Sequence, residues 1–373
     1  MTGRRAAEDD EDDAGAPASI WASEDEEDAL DPFRLIDPDV SPVDPIPRSA
    51  QPSPDVWREA EAALARPLAA AAEAFARLDE RLRAWEPADA RAGVERLALE
   101  QAAALVWAEG APVEVERLTL WAAARIGRAA EEDAGMARAA WAARRLARGR
   151  WTLASPAALA RFEGRTPHGG GDIGGDRDDL GDPWEAFARV RGEAWLAAAE
   201  GWAAEVRGLR EAHRFTQACV AERFWRLSRL SEATAVVEPA VAAMKIAGRA
   251  GRGGAPFAPL ARRRTQGGER PVERLRGFYA DIAAGCAEAL VVLERMQLWR
   301  ARAEAGIAGL SGRTPRRLVA LLAARVAVSA QDAADAAGVS VSAAQRNLAL
   351  LAERGLAREI TGQGRFRMWA ASR

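Results

Sequence analysis

The spacing of small and capping residues near the C-terminus constrains the fold of this chain more than any other feature. Ala334 is small where two helices must approach closely, and Gly338, four positions later, can adopt the left-handed turn that joins them. Val339 then supplies an apolar plug for the corner, and Ser340 can cap a following helix. A small residue, a glycine, an apolar residue and a capped helix in this order are typical of a helix-turn-helix.

Further helical signals surround this turn. Pro315 fits the first position of a helix that ends near Val326. Ser329 can cap a short second helix, with Asp332 three residues later completing an approximate capping box. The helix after the turn is expected to bury one apolar face, formed by Ala344, Leu348 and Leu351.

A β-hairpin is predicted directly after these helices. Gly355 ends the last helix, residues 356–360 read as a strand, residues 361–364 as a tight turn and residues 365–369 as the returning strand. Together these elements predict a winged helix-turn-helix over residues 313–373, which is a DNA-binding architecture.

The outward positions of the second helix of this motif carry polar side chains that suit base edges. Gln345 and Asn347 can hydrogen-bond adenine, and Arg346 suits guanine or phosphate. Ser342 could reach either a base or the backbone. We therefore expect these four residues to contact DNA.

The hairpin adds positive charge. Arg365 and Arg367 alternate with Phe366 and Met368, so the two arginines are expected to share one face of the strand and to lie along phosphates or the minor groove. Between residues 311 and 373 there are ten arginines and four acidic residues, a net charge of +6, whereas the whole chain carries −3. A local excess of this size favours binding to a phosphate backbone.

The overall composition of the chain limits what its arginine content can say about phosphate binding. Lys245 is the only lysine among 52 basic residues, which indicates GC-rich coding rather than selection for phosphate binding. The two cysteines, Cys219 and Cys286, have no CxxC spacing, so neither a zinc site nor a disulfide framework is expected. The N-terminus is acidic and lacks an apolar signal region, and no apolar run could span a bilayer, so we expect a cytoplasmic protein without a membrane segment.

The rest of the chain divides by composition. Residues 1–54 are acidic and proline-rich and are predicted to be disordered. Residues 55–305 are predicted to form an all-α domain, whose first helix would run from Asp55 to the stop at Glu86-Pro87. Two loops interrupt this domain, near residues 164–182 and 248–270, and residues 306–312 read as a linker. The second loop carries Arg249, Arg252, Arg262, Arg263 and Arg264 and is interpreted as either solvated or in contact with phosphates.

Short stretches of the chain resemble a known family. These are Phe75 to Leu82, Ala104 to Gly110 with Val115 to Leu120, and Thr361 to Trp369. They resemble bacterial proteins, mostly alphaproteobacterial, that pair the helical domain of unknown function 1612 with a C-terminal helix-turn-helix. The resemblance implies the same two-part architecture.

The layout is also similar to Fic-type AMP transferases, many of which end in a winged helix. Those enzymes carry a His-Pro-Phe box followed by glycine, asparagine and arginine, and here His213 to Phe215 echoes the box. Residues 216–220 lack the glycine and asparagine that hold phosphates. Glu109-Gly110 matches their inhibitory helix, but Leu105 replaces its hydroxyl residue. This resemblance implies a nucleotide transferase or a catalytically degenerate scaffold.

Taken together, the sequence predicts a mainly α protein with a C-terminal winged helix and a small β-hairpin wing. We expect a DNA-binding regulator that is not an enzyme, has no cofactor or metal, binds double-stranded DNA and forms a homodimer. Two alternatives stay open: a Fic-like helical protein, and a scaffold that uses the winged helix for protein contacts.

Overall fold

The described part of the chain is mainly helical. The computed structural model describes residues 52–123, 134–148, 155–165, 192–232, 235–261, 270–361 and 367–372. Thirteen helices and three short strands lie within these residues, which confirms the predicted mainly α class with a small C-terminal β-hairpin. The predicted tail, 1–54, and the predicted loop, 164–182, fall almost wholly outside the described residues. None of the described helices is long and apolar enough to cross a membrane.

Ten helices form the body. In chain order they are α1 (Pro54–Ala63), α2 (Ala65–Arg83), α3 (Pro87–Ala108), α4 (Val115–Ala123), α5 (Ala134–Ala147), α6 (Pro156–Glu163), α7 (Glu193–Gly208), α8 (Arg214–Leu227), α9 (Val237–Gly248) and α10 (Pro271–Gly306). The most extensive pairings are α8 with α9, α2 with α10, and α3 with α5. The apolar stripe of each helix is therefore buried against another helix, and the body has one continuous core.

The first predicted helix is wrong in one respect, because the structure breaks it at Leu64. The physical cause is Pro67, which has no amide hydrogen to donate and whose ring would clash with the carbonyl of Ala63 in a continuous helix. The chain resolves this clash by starting α2 at Ala65, so that Pro67 lies in its first turn.

Large aromatic side chains fill the centre of the body. Trp202 and Trp225 pack edge to face with ring centroids 5.3 Å apart. The indole nitrogen of Trp202 donates to the carbonyl of Ala221 at 2.8 Å, and that of Trp195 donates to Leu230 at 3.0 Å. The buried indole nitrogens of Trp202 and Trp195 therefore both have a hydrogen-bond acceptor.

Part of the segment after α9 differs from the predicted loop, because residues 255–261 are packed into the body. Residues 255–261 are almost entirely buried, and the carboxylate of Asp79 accepts the amides of Arg252 and Ala255 at 2.6 and 2.7 Å. A Cβ on Gly254 would meet the carbonyl oxygen of Asp79 at 2.0 Å, so only glycine allows this close approach. Residues 255–261 are therefore core structure, Arg249 and Arg252 are exposed, and residues 262–269 lie outside the description.

The C-terminal module follows α10. It comprises α11 (Thr314–Ala324), β1 (Val328–Ser329), α12 (Ala330–Ala337), α13 (Val341–Glu353), β2 (Ala357–Glu359) and β3 (Met368–Ala371). The three strands form an antiparallel sheet in the order β1-β3-β2, with Val328 opposite Trp369 and Arg358 opposite Ala370. The strand β1 was not predicted, because two residues form a strand only through their pairing with β3.

The end of α10 belongs to the core of this module. Trp299, Ala303 and Ile307 cluster with the buried faces of α11, α12 and α13, separately from the core of the body. The indole nitrogen of Trp299 donates to the carbonyl of Leu356 at 2.9 Å. One helix therefore contributes to both cores, and the module is packed from its first residues against the helix that precedes it.

Candidate nucleic-acid interface

The two helices of the motif are held in place by local hydrogen bonds. The amide of Asp332 donates to the Oγ of Ser329 at 3.1 Å, and the amide of Ser329 donates to the carboxylate of Asp332 at 3.1 Å, which completes the predicted capping box. At the other end, Gly338 adopts the left-handed conformation with φ 66° and ψ 43°. The Oγ of Ser340 then accepts the amide of Ala343 at 3.3 Å and so caps α13.

Two further arginines stabilise the two helices of the motif, and neither was predicted from the sequence. The guanidinium of Arg317, on α11, donates to the carbonyl of Ala337 at 2.7 Å, and this carbonyl lies at the end of α12 next to the Gly338 turn. Arg325 forms an ion pair of 2.6 Å with Asp332. Burial alone would raise the pKa of Asp332, but hydrogen bonds from Ser329 and Arg325 outweigh it and lower that pKa. The capping carboxylate is therefore held in its charged form.

The helix α13 presents a polar face to solvent. Ser342, Gln345 and Arg346 are exposed, and their spacing of three and four residues places them on one side of the helix. The opposite side is the predicted apolar face, and its three residues Ala344, Leu348 and Leu351 are all buried.

Asn347 occupies a different position from the other three predicted residues. It is half-buried, and its side-chain amide donates to the carbonyl of Ala343 at 2.9 Å, one turn earlier in the same helix. One of its two amide hydrogens is thereby committed to the helix. Contact between Asn347 and a base stays a prediction that requires its remaining groups or a change of rotamer.

The hairpin places one of its two predicted arginines. Arg367, immediately before β3, is exposed and lies 3.6 Å from the carboxylate of Glu359 on the neighbouring strand. An exposed pair at this distance is weak in water. Arg365 lies outside the described residues.

The other arginines of the module divide into two groups. Arginines with a protein partner are Arg317, Arg325, Arg354, Arg358 and Arg367. Arg313, Arg316 and Arg346 are exposed and have neither an ion pair nor a hydrogen bond from their side chains to any other described residue. These three cations can therefore meet an external anion without first giving up a partner among the described residues.

The region that resembles the Fic box uses its polar atoms inside the body. His213 precedes α8, where its Nδ1 accepts the amide of Phe215 at 3.2 Å and its own amide donates to Glu61 at 2.9 Å. Burial lowers the pKa of His213, although the nearby carboxylate of Glu61 opposes this effect. Glu109 accepts the amides of Val236 and Val237 at 2.6 and 2.9 Å and thereby caps α9.

Comparisons with known proteins add no relationship. No protein-family model matches the chain, and a search of curated proteins found no significant match. The chemistry of the described residues is therefore the basis for a functional proposal.

Proposed function

We propose that this protein is a DNA-binding regulator that acts through its C-terminal winged helix. The observation that carries the proposal is the exposed polar face of α13, which is set beside the turn at Gly338 and is covered by no other described residue. A capped helix projecting from such a turn is the element that enters the major groove in helix-turn-helix proteins.

The first step of the proposed recognition is positioning on the backbone. The first backbone amides of α13 have no partner within the helix apart from the cap at Ser340, and such helix ends attract phosphate. Arg367 would leave its weak pair with Glu359 for a phosphate, and Arg365 would add a second contact from the wing. These contacts carry charge but little sequence information.

Sequence would be read by the side chains of α13. Gln345 can bond adenine through two hydrogen bonds, and Arg346 can do the same with guanine. Ser342, in the first turn, would lie closest to the groove edge. A dimer would read two half-sites related by symmetry, and the helical body would supply its contact surface.

Selection of bound duplexes from a random pool tests this proposal. We expect the full-length protein to enrich a defined site, and Gln345→Ala to relax the preference at one or two positions by roughly 1–3 kcal/mol per base pair. Gln331→Ala, which removes an exposed glutamine from α12, serves as the matched control and should leave the preference unchanged. Failure to enrich any site with the unmodified protein would favour the alternative of a protein-binding scaffold.

A further inference from the structure

A cleft of about 650 Å³ lies where the body meets the C-terminal module. One wall is formed by the α2–α3 connection, α3 and α10, with Trp85, Met296 and Leu298 among its residues. The other wall includes Leu322 of α11 and Ala371 of β3. The volume falls in the range of clefts that bind small molecules and is too small for a folded partner.

The cleft exposes apolar surface that nothing described covers. Leu298 has 64% of its surface exposed, more than any other large aliphatic side chain in the described part of the chain. Met296 and Trp85 also line the cleft, but they are partly buried against the core of the body. Leucine on an exposed helix face is common, but the position of Leu298 in a concave site favours a bound apolar group.

The charged groups of the cleft leave one arginine available. Arg300 pairs with Asp89 and Glu304, and Arg302 donates to the carbonyl of Ser372 at 2.9 Å. Arg295, one turn before Leu298 on α10, is exposed and has no side-chain partner among the described residues. The cleft contains four arginines and three carboxylates.

We propose that this cleft binds a small organic acid with an apolar body. The apolar part would lie against Leu298, and the acid group would meet the guanidinium of Arg295, which is three residues earlier on the same face of α10. The shared chemistry is an aromatic or branched carboxylate or sulfonate, since an arginine fork binds either anion.

Binding in this cleft would act on both parts of the protein. Because Leu322 and Ala371 belong to the module, a ligand there contacts the body and the winged helix together, and it stabilises whichever arrangement of the two forms the complete site. This regulatory consequence rests on the proposed function, but ligand binding itself does not.

Two related dyes test the binding. The probes are 8-anilinonaphthalene-1-sulfonate, an aromatic anion, and N-phenyl-1-naphthylamine, which lacks the sulfonate; both fluoresce more strongly in apolar sites. We expect saturable binding of one sulfonate dye per chain. Leu298→Gln should weaken both dyes about tenfold through lost apolar contact. Arg295→Gln should weaken the sulfonate dye by about three- to fivefold and leave the neutral dye unchanged.

Matched controls lie on exposed helix faces away from the cleft. Leu196→Gln on α7 and Arg276→Gln at the other end of α10 remove the same groups and should change neither affinity. The proposed site would be wrong if neither dye bound saturably, or if Leu298→Gln left the affinity for both dyes unchanged. If Arg295→Gln lowered the affinity for both dyes equally, the proposed contact between Arg295 and the anionic group would be wrong.

A second titration separates this inference from the proposed function. With DNA present, saturating sulfonate dye should change the DNA affinity at least about fivefold, and Leu298→Gln should shift that change to dye concentrations about tenfold higher. Dye binding without any DNA affinity would contradict the proposed function and leave the cleft intact. If the protein binds both dye and DNA but the dye does not change the DNA affinity, the proposed coupling is wrong.

Discussion

Gly338 controls the angle between α12 and α13 through a single backbone conformation. Its φ of 66° lies in the left-handed region, where a Cβ costs about 1–2 kcal/mol. There is space for a methyl group, since the nearest atom, on Arg317, would be 3.5 Å away. The requirement for glycine is therefore conformational rather than steric.

Replacing Gly338 tests this requirement. We expect Gly338→Ala to lower the free energy of unfolding by about 1–2 kcal/mol in urea. Gly201→Ala is the matched control, because Gly201 lies inside α7 with open space around its Cα, and alanine there should stabilise by about 0.5–1 kcal/mol. A neutral effect at Gly338 would show that the turn does not need the left-handed conformation.

Lys245 is the one lysine of the chain and is buried in the body. Its ammonium donates to the carbonyls of Leu146 and Arg148 at 3.3 and 3.1 Å, and burial lowers its pKa from 10.5 to about 8. Between these two values the unfolded chain binds more protons than the folded one. The free energy of unfolding should therefore rise as pH increases from about 8 to about 10.5, by at most about 3 kcal/mol. Below pH 8 this group adds no pH dependence.

Denaturant unfolding at intervals between pH 7 and pH 10 measures this effect. The comparison is the difference between the unmodified protein and Lys245→Met, which cancels all other titrating groups. We expect that difference to grow in favour of the unmodified protein above pH 8. Parallel pH profiles for the two proteins would mean that the ammonium keeps its ordinary pKa in the fold.

At the scale of elements, the buried segment after α9 depends on α2. Asp79 accepts two amides of this segment, and its carboxylate is almost fully buried. Asp79→Asn replaces one accepting oxygen by a donor and should cost about 1–3 kcal/mol, measured by urea unfolding. Glu80→Gln changes the adjacent exposed carboxylate and should stay within about 0.5 kcal/mol. Equal effects in both variants would contradict the proposed role of Asp79.

Elements with local signals were predictable from the sequence, and those that depend on distant contacts were not. The capping box at Ser329 and the turn at Gly338 follow from neighbouring residues, so both were found. The burial of residues 255–261 depends on Asp79 and on Gln101, whose side-chain amide bonds Leu260 from 159 positions away. The break at Leu64 had a local signal in Pro67, but the apolar periodicity continued through it.

The same distinction holds for the candidate interface. Ser342, Gln345 and Arg346 could be placed on the outer face from helical spacing alone. The commitment of Asn347 to Ala343 could not, because it depends on a side-chain rotamer. Arg317 and the cleft around Leu298 also required tertiary structure, since each joins elements that are far apart in the chain.

At the scale of the whole molecule, α10 connects the two cores. It has 36 residues, which corresponds to about 54 Å of helix. Its first part is buried in the body through residues such as Leu275 and Ile282, and its last turns are buried in the module through Trp299 and Ala303. Because α10 is part of both cores, a shift of this helix in the body would also move the winged helix. This shared helix is the basis for the proposed coupling.

The central claim is that the winged helix binds the DNA backbone, and salt dependence tests it most directly. The measurement is the affinity of full-length protein for random duplex DNA from about 50 to about 200 mM salt. It is compared with the triple variant Arg346→Ala, Arg365→Ala, Arg367→Ala. The control is Arg77→Ala, Arg207→Ala, Arg276→Ala, which removes the same charge from exposed positions on the body.

We predict that the DNA affinity of the unmodified protein falls steeply with salt. The triple variant of Arg346, Arg365 and Arg367 should lose most of this affinity, and its salt slope should be shallower by up to about three phosphate contacts. The control variant should keep both the affinity and the salt slope of the unmodified protein. Equal losses in the two triple variants would show attraction by overall charge alone. No binding at low salt, either by the full chain or after removal of the acidic residues 1–45, would contradict the account.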